Sequence, residues 1–238
     1  MATDRSAGIP HVVGQADDHL CSATHAQTLG AALHNEAVEP FLKLRDAAAA
    51  EGFDLAILDG FRSFDQQLSI WNRKASGQRA VLDSDARPID IATLSDEQLV
   101  FAILRWSALP GASRHHWGTD LDVYDLATTP PGYTVELIPA EVNPGGMHGA
   151  LHEWLDQRIA DRTSFGFFRP YDIDRGGVAP ERWHLSFAPV SSTYARMLTL
   201  QALHDTTQQA DMLLKDVVLA HLPAIYERFV TNTNPAHG

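Results

Sequence analysis

The sequence has 238 residues, of which 45% are apolar and 20% are charged, the composition of an ordinary globular protein with one substantial core. Its formal net charge of −12 argues against a general affinity for nucleic acid or for anionic membrane surfaces. Cys21 is the only cysteine, which excludes an intrachain disulfide and a metal site built of thiolates.

The first half of the chain alternates between helical and strand patterns. Apolar spacing predicts a helix over residues 26–51 and a second helix over residues 64–76. Between them, the apolar run 55–58 predicts a buried strand that ends at Asp59-Gly60. These patterns place the residues after position 58 in a strand-to-helix connection.

The middle of the chain continues with further short elements. Ser95 and Gln98 have the spacing of a capping box and predict the start of a helix over residues 99–106. After a turn at Pro130-Pro131-Gly132, we expect a strand over residues 134–138 and then a helix over residues 147–159.

Two segments alternate in the way that a half-polar strand requires. Acidic and apolar residues alternate over 120–124, so a strand there would place Asp120 and Asp122 on one face. Residues 183–187 alternate as well, which puts His184 on the polar face of a second strand. The sequence therefore predicts carboxylates and an imidazole on the polar faces of short strands.

The last part of the chain is helical over residues 192–230, with an expected interruption at Pro223. Helices grouped around a few short strands indicate the α+β class, with a small mixed or antiparallel sheet and flanking helices. We expect one domain over residues 1–238. It divides into an N-terminal helical segment (1–52), a core (53–190) and a C-terminal helical extension (191–238).

Four residues have the chemistry of a catalytic metal site. His115, Asp122 and His184 offer two imidazoles and one carboxylate, and three protein ligands leave the fourth position of a zinc ion free for water. Glu181, three residues before His184, is a further carboxylate that would take the proton from that water. The sequence therefore predicts a metallohydrolase that uses Zn²⁺.

The motifs around these residues resemble a known family. Ser113 to Asp122 read S-x-H-x-x-G-x-x-x-D, and residues 181–184 read E-x-W-H. Residues 60–67, GFRSFDQQ, are similar to the family's G-Y-R-S-x-x-x-Q. Together they resemble the zinc D-alanyl-D-alanine carboxypeptidases, the VanY-like and VanX-like peptidases. Endolysin peptidases and L,D-carboxypeptidases share the pattern, and hedgehog-type signalling domains share the fold.

The resemblance implies a role for each matching residue. His115, Asp122 and His184 would bind zinc, and Glu181 would be the general base. Arg62 would either stabilise the developing oxyanion or hold the terminal carboxylate of the substrate. The substrate contacts that we expect are Ser113, Gln67 and Trp183. The alternatives that stay open are a loop cap for Ser113, packing or helix-surface hydrogen bonding for Gln67, and a structural salt bridge for Arg62.

Two positions depart from the family pattern. Phe61 replaces the usual tyrosine, which removes one hydroxyl group. Asp120 stands where the family usually has alanine, and it either orients a ligand histidine or points into solvent.

Several other histidine and arginine residues lie in or near these motifs. His116 is expected to point away from the metal, and His148 with His152 is expected on a partly exposed helix face. Further candidate anchors for a substrate carboxylate, which the sequence does not rank, are Arg114, Arg169, Arg175 and Arg182.

By this resemblance, the expected activity is hydrolysis of D-alanyl-D-alanine in peptidoglycan stem peptides. An L,D-carboxypeptidase, an endolysin-type endopeptidase and a non-catalytic zinc module that binds cell wall or a protein stay open as alternatives. The substrate places the protein in the periplasm or cell envelope, yet no signal peptide is visible, so a cytoplasmic location stays open. No apolar run predicts a membrane span, and the oligomeric state is left open.

Overall fold

A four-stranded antiparallel sheet lies at the centre of the protein, for which a computed structural model describes residues 8–235. The strands are β1 (Leu55–Asp59), β2 (Asp120–Asp125), β3 (Phe167–Phe168) and β4 (His184–Phe187). They lie side by side in the order β1, β2, β4, β3, and each neighbouring pair is antiparallel. The predicted α+β class is confirmed.

Helices flank the sheet before, between and after its strands. The α-helices are α1 (Ile9–Val12), α2 (Ala23–Leu29), α3 (Asn35–Ala50), α4 (Phe64–Ala75), α5 (Asp96–Leu104), α6 (Pro139–Val142), α7 (Gly149–Ala160), α8 (Ala188–Met197), α9 (Leu200–Gln209) and α10 (Lys215–Ile225). Shorter turns of 3-10 helix are Ile91–Thr93, Arg114–Trp117 and Leu126–Thr128, and the π-helical turn Tyr226–Val230 follows α10. Within residues 8–235, no helix has both the length and the apolar character needed to cross a membrane.

The register between β2 and β4 separates a polar face of the sheet from an apolar one. The facing pairs are Asp120 with Ser186, Leu121 with Leu185 and Asp122 with His184. Because facing residues project to the same side of a sheet, the acids and the histidine share one face and the leucines share the other. All six side chains are buried, so both faces are covered.

The apolar face packs against α3 through aromatic rings. Phe41 of α3 lies edge-on to Phe167, with ring centroids 6.4 Å apart, and Phe167 lies 5.4 Å from Phe187 in the neighbouring strand. All three are buried. The cluster holds β3 and β4 against the long N-terminal helix.

Helices α4 and α5 each begin with a capping box. Ser95 Oγ accepts a hydrogen bond from the Gln98 backbone N–H at 3.2 Å, and Gln98 Oε1 accepts from the Ser95 N–H at 2.9 Å. Ser63 and Gln66 form the same reciprocal pair at the start of α4. The predicted box at position 95 is therefore confirmed, and a second one fixes the start of α4.

The long helix predicted over residues 26–51 is wrong in its first third. The structure has two helices, because Gly30 ends α2 in the left-handed conformation with φ +86°. The chain then runs across the fold, where the N–H of His34 donates to Gly118 O at 2.7 Å. His34 Nδ1 in turn accepts from the Glu36 N–H, which starts α3.

The strand predicted over residues 134–138 does not form. Its backbone N–H groups point instead to the buried carboxylate of Glu141, which accepts hydrogen bonds from Glu136 at 3.0 Å, Leu137 at 2.8 Å and Ile138 at 3.5 Å. Leu137 has φ +56°, which a regular strand does not allow. One side chain thus replaces the neighbouring strand that the alternating pattern requires.

The interruption predicted at Pro223 is also misplaced. Pro223 lies inside α10 near its C-terminal end, and the π-helical turn follows it. The breaks come earlier: Thr199 caps the start of α9, and the segment 210–214 ends at Leu214 with φ +63°. The region 192–230 is therefore three helices and not one interrupted helix.

The helices after residue 191 pack against α4 and α5. Trp71 Nε1 of α4 donates to Leu213 O at 3.0 Å, and Asn72 Oδ1 accepts from the Leu213 N–H at 2.9 Å. Phe101 of α5 lies 5.9 Å from Phe229, measured between ring centroids. The C-terminal helices thus bury their apolar side chains on the same chain.

Substituting Ile225 with alanine should destabilise the fold, because this side chain is fully buried where α10 meets the core. We expect the free energy of unfolding to fall by about 2–5 kcal/mol, as for other buried aliphatic truncations. Chemical denaturation followed by circular dichroism measures the change. The matched control is Leu213→Ala, an exposed leucine in the segment just before α10, which should shift stability by no more than about 0.5 kcal/mol.

Candidate active site

The first predicted metal ligands are positioned by a tight turn that leads into β2. His115 lies in the 3-10 turn Arg114–Trp117, and Gly118 ends that turn with φ +66°. A Cβ atom at Gly118 would lie 2.7 Å from the backbone nitrogen of His34, so only glycine fits there. The chain then enters β2 directly, with Asp122 as the third residue of the strand.

The three predicted ligands converge on one point. His115 Nε2 lies 3.4 Å from Asp122 Oδ2, and His184 Nδ1 lies 3.3 Å from Asp122 Oδ1. The ligand atoms of the three residues all lie within 4.8 Å of one another, and all three side chains are buried. Ligands about 2.1 Å from a tetrahedral zinc ion are about 3.4 Å apart, so the observed spacing fits a shared ion.

Hydrogen bonds on the far side of each ring fix which nitrogen faces the shared point. His115 Nδ1 lies 2.8 Å from Gly60 O and must donate to it, because a carbonyl oxygen only accepts. His184 Nε2 likewise donates to Asp120 Oδ1 at 3.0 Å. The remaining nitrogens therefore carry lone pairs directed at Asp122, whose buried Oδ1 has no hydrogen-bond partner among the described residues.

Asp120 is completely buried and supports the site from behind. Its carboxylate accepts hydrogen bonds from Arg114 Nε at 2.7 Å, Thr119 Oγ1 at 2.7 Å and Ser186 Oγ at 3.0 Å, besides the bond to His184. Burial alone would raise the pKa of Asp120, but Arg114 and His184 lower it to about 2. Of the two alternatives for this residue, orientation of a ligand histidine is the one that the structure supports.

The electrostatics of the site favour a cation. Burial alone would lower the pKa of His184, but the carboxylates of Asp120, Asp122 and Glu181 hold it well above its usual value. The three carboxylates thus favour a positive charge at His184 Nδ1, either a proton or a metal ion that takes its place. A divalent ion supplies the missing positive charge, and two imidazoles with one carboxylate are a set that zinc accepts. The residues present fit a zinc ion.

Glu181 lies beside the ligand atom of His184. Its Oε2 is 3.4 Å from His184 Nδ1, and its backbone N–H donates to Tyr171 O at 2.9 Å, which fixes the loop that precedes β4. The carboxylate faces a cavity of about 770 Å³, which the predicted ligands also line. Glu181 therefore reaches both the metal position and the space that a substrate would occupy.

Arg62 faces the same cavity and is held by two neighbours. Its guanidinium forms an ion pair with Asp59, and Nη1 donates to Gln67 Oε1 at 2.7 Å. Gln67 is fully buried and donates in turn to Ala108 O at 2.7 Å. Gln67, which we predicted to contact substrate, does not line the cavity; its contact is with Arg62.

The other two predicted substrate contacts both line the cavity. Ser113 immediately precedes the turn that carries His115, and its hydroxyl does not cap that turn. Trp183 stacks on Trp106 with ring centroids 6.3 Å apart and an interplanar angle of 18°. The two indole rings form one wall of the cavity.

His116 turns away from the metal position and supports Arg62 instead. Its Nδ1 donates to Arg62 O at 2.6 Å, and its Nε2 accepts from the Gly111 N–H at 3.1 Å. Burial lowers the pKa of His116 to about 3, so the ring stays neutral in this bridge.

The expected exposure of His148 and His152 is wrong, because both side chains are buried. His148 Nδ1 lies 3.1 Å from Thr128 Oγ1, and His152 lies against Arg169. Neither residue lines the cavity, so the spacing of the two histidines reflects packing of α7.

Three residues that shape the site received no role from the sequence. Asp59 pairs with Arg62, and its position three residues before that arginine was the one available signal. The ring of Tyr171 lies edge-on to His184 at 5.1 Å, and burial raises the pKa of Tyr171 to about 12, so its hydroxyl remains protonated. Glu141 shapes the cavity wall at residues 134–138, and no local pattern indicates this.

The sequence matches a known family over most of this region. The family model for VanY, described as D-alanyl-D-alanine carboxypeptidase, matches residues 30–190. The match includes every residue of the site described above.

Individual relatives give a consistent result at lower coverage. An uncharacterized protein from Haemophilus influenzae is 38% identical over 98 residues, which are 41% of this chain and 67% of that protein. A D-alanyl-D-alanine carboxypeptidase from Enterococcus faecalis is 26% identical over 162 residues, 65% of this chain, and the match spans about half (48%) of that enzyme. The solved structure of VanYB in complex with D-alanine-D-alanine has a TM-score of 0.50 at 20% identity, covering 83% of this chain and 92% of VanYB, and shows a shared fold.

The variant Asp120→Asn tests whether the buried carboxylate supports metal binding. The amide keeps the shape but loses the charge that orients and polarises His184, so we expect the affinity for zinc to fall about 10- to 100-fold. Competition with a chromophoric chelator measures the dissociation constant. Asp46→Asn, at an exposed position of α3, is the control and should leave it unchanged. Equal affinities of the two variants would show that Asp120 has no such role.

Proposed function

This chain belongs to the VanY family of D-alanyl-D-alanine carboxypeptidases, and we propose that it is a zinc-dependent peptidase that removes the terminal D-alanine from peptidoglycan stem peptides. The observation that carries the proposal is the convergence of His115, Asp122 and His184 on one point, with Glu181 beside it. Three protein ligands leave a zinc position open for water, which hydrolysis requires and a closed structural site lacks.

The chain's own residues divide the work of amide hydrolysis. When bound, zinc acts as a Lewis acid that lowers the pKa of water to about 7. Glu181 accepts the proton that water loses as its oxygen attacks the amide carbon. The same carboxyl group then gives this proton to the leaving nitrogen, so that one water is consumed and a carboxylate and an amine are formed.

We assign to Arg62 the role of a donor to the carbonyl oxygen on which negative charge develops. Its contacts with Asp59 and Gln67 hold the guanidinium in one orientation, as a preorganised donor requires. Gln67 is then a positioning residue that acts through Arg62. Ser113 and Trp183 line the cavity and are the proposed contacts to the rest of the peptide.

An L,D-carboxypeptidase or an endopeptidase would use the same catalytic residues on a different bond. Mass spectrometry of digested muropeptides separates the three activities. Loss of one D-alanine from pentapeptides supports the proposal, whereas loss of alanine from tetrapeptides or cleavage of cross-links supports an alternative.

The variant Glu181→Gln should abolish turnover while keeping the metal. Because a neutral amide cannot accept the proton, we expect kcat to fall about 10²- to 10⁴-fold, with about one zinc still bound per chain. Release of D-alanine and metal analysis by mass spectrometry measure the two quantities. The control is Glu153→Gln, an exposed acid of α7. Near-normal activity of Glu181→Gln on a D-Ala-D-Ala peptide would refute the mechanism.

Removal of zinc distinguishes catalysis from a purely structural metal. The sheet and helices are held by a large apolar core, so we expect a chelator to stop hydrolysis while far-ultraviolet circular dichroism stays unchanged. Added zinc should restore the activity. A different result would support a non-catalytic binding module: the protein unfolds when zinc is chelated, and it hydrolyses no substrate even when zinc is bound.

A further inference from the structure

The cavity beside the site has more basic side chains than the mechanism uses. Its lysine and arginine residues are Arg62, Lys74, Arg79 and Arg114. Arg62 pairs with Asp59, and Arg114 pairs with Asp120. Within residues 8–235, neither Lys74 nor Arg79 has a carboxylate within the 4.0 Å of an ion pair.

Lys74 is the more unusual of the two. It lies in the last turn of α4 and is only 6% exposed, and its Nζ donates to Ser107 Oγ at 2.6 Å. Ser107 lines the cavity as well. An ammonium group has three N–H donors, and a buried lysine normally has an acidic partner. The hydroxyl of Ser107 neutralises no charge, so the group keeps its capacity for an anion.

The surroundings of Lys74 keep it charged at neutral pH. Burial and, to a smaller extent, the nearby Arg79 lower the pKa of Lys74 to about 8, although Glu181 acts in the opposite direction. A group with that pKa is still mostly protonated at pH 7. Lys74 therefore presents a charged donor to the cavity on the same side as the general base.

The remaining candidate anchors are already engaged elsewhere. Arg169 and Arg182 both bind Asp156, and Arg175 binds Asp172. None of these three arginines lines the cavity. An anion that enters the cavity thus meets Lys74 and Arg79 as the basic groups without an acidic partner.

We propose that Lys74, with Arg79 beside it, binds the free terminal carboxylate of the peptide substrate. This inference rests on the proposed function for the substrate class and adds the residues that select a chain end. In a cross-link that ends on the side-chain amine of a lysine, the residue after the cleaved bond offers no carboxylate at this place, whereas the D-centre of diaminopimelate does. The anchor therefore favours removal of a terminal D-alanine over cleavage of lysine-type cross-links, and it leaves Arg62 for the carbonyl oxygen.

The test compares two substrates that differ only in the group Lys74 would bind. They are N-acetyl-L-Lys-D-Ala-D-Ala and its C-terminal amide. We expect the protein to prefer the acid by about 100-fold in kcat/KM, because a charge-assisted hydrogen bond to a desolvated group discriminates strongly. In Lys74→Met the acid should lose about 100-fold, mainly through KM, while hydrolysis of the amide stays unchanged.

Lys43→Met is the matched control. This lysine is exposed on α3 and pairs with Glu39, so its removal should leave kcat/KM unchanged for both substrates. Lys74→Met should fold, because methionine has a similar length and removes a buried charge that has no acidic partner. Arg79→Gln, at an exposed position, gives a second measurement, with an expected loss of about 10-fold on the acid alone.

Other outcomes contradict either the anchor or the proposed function. It is excluded if the wild-type protein cleaves the amide as well as the acid, or if Lys74→Met keeps the preference. Equal losses of kcat on both substrates would place Lys74 at the reacting groups instead. If the zinc-loaded wild type hydrolyses neither substrate, the proposed function fails. In that case, calorimetry measures the affinity of the wild type and of Lys74→Met for the acid and for the amide. A preference for the acid that is lost in Lys74→Met supports the anchor, and its absence excludes the anchor.

Discussion

The antiparallel pairing of β2 with β4 determines whether this site exists. Asp122 faces His184 across the two strands, and Asp120 faces Ser186 one step further on. A slip of one residue would send these polar side chains into the apolar layer and bring Leu121 and Leu185 to the cavity. The aromatic contacts of Phe41, Phe167 and Phe187 on the other face make such a slip costly, so core packing holds the polar pair in register.

A layer of buried polar contacts then sets the orientation of each proposed ligand. Gly60 O orients His115, and Asp120 orients His184 while Arg114, Thr119 and Ser186 keep that carboxylate ionised. Arg62 is supported in the same way by Asp59, Gln67 and the backbone bridge from His116. The side chains of His115, His184 and Arg62 are thus each held by a hydrogen bond to another residue, as preorganised chemistry requires.

Local sequence patterns predicted the secondary structure correctly where contacts between sequence neighbours determine it. Alternation over residues 120–124 and the capping box at Ser95 involve contacts within a few residues, and both predictions agree with the structure. The convergence of His115, Asp122 and His184 followed from resemblance and residue chemistry. Their separation of up to 69 positions offers no local signal, and the fold brings their ligand atoms within 4.8 Å of one another.

Two of the wrong element predictions have a physical cause that the apolar pattern does not show. The segment 134–138 alternates like a strand, but Glu141 takes its N–H groups. The helix over 26–51 breaks because Gly30 turns the chain and His34 bonds to Gly118. Gln67 has the motif position of a substrate contact, and in the structure its side chain contacts Ala108 O and Arg62. In each case a hydrogen bond from outside the local pattern decides the structure.

The Glu141 carboxylate has an evolutionary consequence. Because it binds main-chain N–H groups, the path of this cavity wall is largely independent of which side chains residues 134–138 carry. Mutations there can alter what the wall presents to a ligand without remodelling the backbone. A lineage could thus diversify its preferred peptides through a handful of substitutions while its catalytic centre stays the same.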